Sequence, residues 1–108
     1  MPFQIKFTRA ALKDLLWLKL TDAEVDALEA AVRRIARLHD VRYDQMVMEV
    51  AQTDGEWLRL KIVQPSQMRA FFTVDEDAGH LVVRLVLRRT ERTYDMAQII
   101  WRAQKARI

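Results

Sequence analysis

The chain has 108 residues, 51% hydrophobic and 31% charged, with two glycines, two prolines and a formal net charge of +3; this is one ordinary domain with material for a single core, and neither a disordered nor a fibrous composition. It contains no cysteine, which excludes disulfides, thiolate nucleophiles and cysteine-based zinc sites and makes a reducing cytoplasm the expected setting. No apolar run approaches the ~20 residues that span a bilayer, and the opening MPFQIKFTRA lacks the apolar centre of a signal peptide, so no membrane partner is expected.

Residues 3–8, FQIKFT, alternate Phe3, Ile5 and Phe7 with polar neighbours, the period of a half-buried strand. Thr8 is a helix cap, and RAALKDLLWLKL behind it brings Leu12, Leu15, Leu16 and Lys19 to helical spacing up to about Leu20. TDAE then places Glu24 three positions after Thr21, a capping-box pattern. Val25, Leu28, Val32, Ile35 and Leu38 or His39 continue as a longer helix, so that the two helices form a hairpin. From residue 46 the period changes to two. MVMEVA, EWLRLKIV, QMRAFFTV and GHLVVRLVLR, separated by the turn signals TDG, QPS and DEDAG, predict a four-stranded antiparallel meander. The last segment, YDMAQIIWRAQKARI, returns to helical spacing through Met96, Ile99, Ile100 and Ala103, with Thr93 or Asp95 as cap. The expectation is one α+β domain over residues 1–108, with an N-terminal strand, a helical hairpin, the meander and a C-terminal helix, and the helices packed on one face of the sheet.

Charge is unevenly spread. Residues 21–56 carry four Arg or Lys against nine Asp or Glu, a net of −5, whereas residues 84–108 carry seven against two, a net of +5. Such asymmetry points to an anionic partner for the basic end, with salt bridges between the halves as the alternative. Strict alternation sorts the strands into faces. Leu58, Leu60 and Ile62 oppose Trp57, Arg59 and Lys61; Met68, Ala70, Phe72 and Val74 oppose Arg69, Phe71 and Thr73; Leu81, Val83, Leu85 and Leu87 oppose Val82, Arg84, Val86 and Arg88. The pattern predicts Arg59, Lys61, Arg69, Arg84 and Arg88 on one face with aromatics beside them, suited to holding a nucleic-acid backbone and stacking its bases; a solvated basic face is the plainer alternative. His39 and His80 are isolated, and the acidic runs DED and TDGE are turns without metal-ligand spacing.

From IKFTRAALKDL through LRLKI and QMRAFFTVDED to VLRRTERTYD, the chain resembles the RelE/ParE superfamily of toxins from type II toxin-antitoxin systems, over nearly its whole length. The resemblance is closer to the RelE-like RNases, which implies a cytoplasmic endoribonuclease, a hydrolase or mRNA interferase, that cuts mRNA with the ribosome to block translation. It implies no cofactor and no metal, a cognate antitoxin protein as partner, and a toxin-antitoxin hetero-oligomer. Lys61, Arg69, Arg88 and Tyr94 fall where these enzymes carry catalytic residues, and Arg59, Arg84, Arg89 and Arg92 become RNA-binding residues. A ParE-like inhibitor of DNA gyrase that acts by binding, and a non-toxic member that only binds a partner, are the alternatives.

The implied chemistry uses the substrate's own 2′-hydroxyl as nucleophile and leaves a 2′,3′-cyclic phosphate, which calls for a base, cations on the non-bridging oxygens and an acid for the leaving 5′-oxygen. Lys61 is the expected base, because neighbouring arginines favour a neutral amine. Arg69 and Arg88 are assigned to the phosphorane, and Arg88 to the leaving group as well. Tyr94 stacks on a base or orients the 2′-hydroxyl. Arg59 stands where lysine is usual; a guanidinium hardly deprotonates, so it grips phosphate.

Overall fold

The computed structural model describes residues 2–88, so the predicted C-terminal helix and the positions Arg89, Arg92 and Tyr94 lie outside the described residues. Within them the architecture is α+β. Five strands, β1 (Gln4–Phe7), β2 (Val47–Glu49), β3 (Leu58–Ile62), β4 (Met68–Asp75) and β5 (His80–Arg88), form one sheet in the order β1-β5-β4-β3-β2. Strands β2 to β5 are the expected antiparallel meander, and β1 joins its far edge parallel to β5, which makes the sheet mixed. Among the described residues no helix is long and apolar enough to cross a membrane.

Two helices, α1 (Arg9–Trp17) and α2 (Asp22–Ala36), lie against one face of the sheet. Both start as the sequence dictates. Thr8 Oγ1 accepts the Ala11 amide at 3.1 Å, and Thr21 with Glu24 completes a capping box, each amide bonded to the other's side chain at 2.9 and 3.2 Å. Caps of this kind contribute about 1 kcal/mol each. Leu28, Val32 and Ile35 bury one stripe of α2 against Leu58, Leu60, Met68, Ala70, Phe72, Leu81 and Val83. Helix α1 behaves otherwise: Leu15 reaches this core, but Leu12, Leu16 and Trp17 are exposed, Trp17 by 83%. The expected apolar stripe of α1 is thus only partly used, because α1 borders the edge of β5 and does not lie over the middle of the sheet.

That edge position has a hydrogen-bonding cause. Strand β1 ends at Phe7, four residues into β5, and α1 takes over as neighbour of the remaining strand: the Thr8 amide donates to the Val83 carbonyl at 3.0 Å, and the Val86 amide donates to Asp14 Oδ2 at 3.0 Å. Backbone donors that would otherwise be stranded at a buried edge are thereby satisfied. Lys19 closes α1 with φ of 50°, the left-handed turn that reverses the chain into α2.

A β-bulge decides which face the end of β5 presents. Phe71 pairs with Leu85 while the next residue, Phe72, pairs with Val83, so Arg84 is the extra residue. A bulge advances the side-chain alternation by one position. Beyond it Leu85 and Leu87 turn away from the helices and Val86 and Arg88 turn toward them, the reverse of what strict alternation predicts. The assignment of Arg88 to the basic face is therefore corrected: Arg88 is opposite Met68, which is fully buried under the helices.

Candidate nucleic-acid site on the second sheet face

On the face away from the helices the side chains form three rows across the strands. Lys61, Arg69 and Leu87 make the first row, since Lys61 pairs with Arg69 and Arg69 with Leu87. Directly opposed residues have Cβ atoms about 5 Å apart. Arg59, Phe71 and Leu85 make the second row, with Met48 on β2 opposite Arg59. Trp57, Thr73 and Val82, with the bulged Arg84 among them, make the third. Four of the five expected cations, Arg59, Lys61, Arg69 and Arg84, thus share this face.

The face is less open than a solvated sheet. Phe71 and Leu85 are fully buried and form a small cluster with Val50, against which Trp57 and Leu87 pack. Arg69 is 5% exposed, and its Nη1 donates to the Met68 carbonyl at 2.8 Å. Its partner Lys61 is exposed, so the row pairs a fixed guanidinium with an amine that reaches solvent. Arg59 is half-buried; its Nη2 lies 2.9 Å from the Met48 sulfur, and its buried Nε has no hydrogen-bond partner among the described residues. Arg84 donates from Nε to Thr73 Oγ1 at 2.9 Å and lies 5.5 Å from the Trp57 ring centroid. Burial lowers the pKa of the Arg84 guanidinium and the Glu56 carboxylate opposes that shift, yet an arginine of this kind stays charged at neutral pH.

Arg88 sits on the helix side. Its Nη1 and Nη2 donate to the two carboxylate oxygens of Glu24, and Nη2 also donates to the Leu18 carbonyl at 3.1 Å. Ser66, in the turn between β3 and β4, donates to the same carboxylate. The Arg88 guanidinium, then Ser66 and the Thr21 amide, hold Glu24 well below the usual carboxylate range, and Glu24 in turn raises the pKa of Arg88. Neither Glu24 nor Ser66 is singled out by the sequence, because the capping box already accounts for the glutamate and QPS for a turn.

A mixed five-stranded sheet with this strand order and a helical hairpin on one face is the RelE-like fold. No family model and no curated protein matches the sequence. Among solved structures the chain is similar to a doubly mutated form of the Escherichia coli toxin RelE in the free state, with a TM-score of 0.69, 18% identity and 97% of each chain covered. It is also similar to a chain of the toxin-antitoxin complex RelBE2 of Mycobacterium tuberculosis, with a TM-score of 0.61, 17% identity, and coverage of 82% of this chain and 93% of that one.

Proposed function

We propose that the protein is the toxin of a type II toxin-antitoxin system and cleaves mRNA on the ribosome. The observation that carries this reading is the cross-strand pair of Lys61 and Arg69 on the sheet face away from the helices, with Arg59 in the adjoining row. Lys61, the exposed amine, takes the 2′-hydroxyl proton as that oxygen attacks the adjacent phosphorus. Arg69, held by its neighbours before substrate arrives, meets the charge that develops on the non-bridging oxygens; such preorganised donors cost no rearrangement during reaction. Arg59 and Arg84 hold the RNA backbone, and Trp57, stacked under the Arg84 guanidinium, orients that cation. Tyr94, Arg89 and Arg92 follow directly on β5 in sequence; in this reading Tyr94 stacks on or orients the nucleotide, and the two arginines add phosphate contacts. The bond between phosphorus and the 5′-oxygen breaks, that oxygen takes up a proton from water, and the Lys61 ammonium returns its proton to water, so the step balances.

An antitoxin partner belongs to the same reading, since one of the similar structures is a toxin-antitoxin complex. An acidic segment fits the basic face by charge, and the apolar groove lined by Ile5, Phe7, Leu15, Val25 and Leu28 fits the buried side of an amphipathic helix. Induction in a bacterial host with pulse labelling tests the assignment. Protein synthesis should stop first and transcripts should carry new 5′ ends within coding regions; early loss of DNA synthesis with intact transcripts would instead indicate a gyrase inhibitor of the same fold.

A further inference from the structure

The cluster formed by Glu24, Ser66 and Arg88 lies behind the proposed site, on the other side of the sheet. It gathers four parts of the chain that are remote in sequence. Glu24 belongs to the first turn of α2, Ser66 to the β3–β4 turn, Arg88 to the end of β5, and Leu18, whose carbonyl accepts from Arg88, to the end of α1. The carboxylate is 5% exposed and saturated: Oε1 accepts from the Thr21 amide and Arg88 Nη2, while Oε2 accepts from Arg88 Nη1 and Ser66 Oγ. A forked guanidinium–carboxylate pair fixes orientation as well as distance.

The register places this cluster next to Lys61 and Arg69. Ile62, Met68 and Arg88 form the row adjoining that of Lys61, Arg69 and Leu87, one residue or about 3.3 Å along the strands. Residues 63–67, the turn that Ser66 ties to Glu24, directly join Lys61's strand to Arg69's strand. Whatever holds the turn and the end of β5 therefore holds the base and the guanidinium in relation to each other.

We propose that Arg88 is a positioning residue, clamped by Glu24 on the helix side of the sheet, and that the Glu24–Arg88–Ser66 latch sets the geometry of Lys61 and Arg69 without Arg88 touching RNA. This rests on the RNase reading given above. It assigns a role to Glu24 and moves Arg88 from contact with the phosphorane to support of the residues that make that contact. A displacement of about 1 Å at a reacting centre costs on the order of 100-fold in rate, which is the scale on which loss of the latch should register.

The experiment compares cleavage of mRNA on purified ribosomes by the wild-type chain and by Glu24→Gln, Arg88→Ala, Arg88→Lys, Ser66→Ala and the double variant Glu24→Gln/Arg88→Ala. All are assayed at a temperature where circular dichroism finds every compared variant folded. The latch predicts that Glu24→Gln and Arg88→Ala lower kcat to a similar extent, about 100-fold, with KM little changed. It also predicts that the double variant is no worse than either single one, and that Arg88→Lys and Ser66→Ala lose less. An Arg88→Ala loss far exceeding that of Glu24→Gln in folded variants would place Arg88 on the substrate and overturn the proposal alone. Losses that vanish once the variants are folded would also overturn it, since the latch would then supply stability only. A wild-type chain that cuts no RNA would overturn the RNase reading and this proposal together.

Discussion

Arg69 and Arg88 belong to adjacent rows of the same sheet and live in opposite surroundings. Arg69 is buried on the face that carries Lys61, Arg59 and Arg84; Arg88 lies on the face that carries the main core and is matched by a carboxylate. The two faces differ in the same sense. The helix side is a broad aliphatic core closed at one end by an ion pair, while the other side has a small cluster of Val50, Phe71 and Leu85 with Arg59, Lys61, Arg69 and Arg84 around it. One face carries the main core, the other gathers the positive charge.

The neighbours Phe71 and Phe72 test that division most severely. Each is 1% exposed, but Phe72 belongs to the main core and Phe71 to the small cluster. Phe72→Ala should cost about 3–5 kcal/mol, the usual range for a buried aromatic, a large share of a typical domain's total stability. Phe71→Ala should cost clearly less by chemical denaturation, because its smaller cluster can collapse around the missing ring. Equal losses would mean that both faces carry the fold alike.

Arg69→Ala comes next. Cleavage should fall about 100-fold or more, as for removal of one preorganised donor at a developing oxyanion, while Arg69→Lys should recover little because an ammonium cannot reproduce a fork of donors. Ribosome-dependent cleavage assays read both. Full activity in a folded Arg69→Ala chain would remove the chemistry from this face.

How far the sequence foretold this division is decided by one residue. Alternation sorted β3 and β4 correctly, and both helix caps fell at Thr8 and Thr21, because those signals are local: side-chain period and a hydroxyl three residues ahead of an amide. In β5 the rule holds through Val83 and inverts at Leu85, since Arg84 is accommodated as an extra residue whose carbonyl accepts from the capping hydroxyl of Thr8, 76 residues away. No window of sequence contains that contact. The partners of Arg88 are hidden for the same reason, lying 64 and 70 positions upstream at Glu24 and the Leu18 carbonyl, and the pairing of β1 with β5 is equally remote.

The ion pair gives the fold an acid-sensitive component that the basic face lacks. Glu24's pKa is depressed in the folded chain, so the stability it contributes is complete above about 4.5, its ordinary value, and is lost as pH falls from there toward the depressed folded value. Arg88→Ala removes the largest cause of that depression. The variant should melt below the wild type at neutral pH, and the gap should narrow by about pH 3, where part of the wild type's advantage has been titrated away. Thermal melts across that range read the difference; a gap that stays constant or widens toward acid would mean that the pair contributes through packing alone.

The smallest expected effect belongs to Arg84, the residue on which the two faces turn. Its guanidinium is over Trp57 and bonded to Thr73, and its backbone carbonyl is bonded to Thr8. Arg84→Ala keeps the backbone contact and removes the other two, so the bulge should survive and Arg88 should remain beside Glu24. A half-buried cation over an indole contributes about 0.5–1 kcal/mol, and chemical denaturation should register a loss of that size. The same substitution should weaken RNA binding by shifting KM more than kcat, because in the proposed site Arg84 holds the backbone at a distance from the reacting phosphate. If Arg84→Ala instead abolished the acid-dependent gap between wild type and Arg88→Ala, the bulge would depend on the arginine side chain, and the assignment of faces at the end of β5 would have to be reversed.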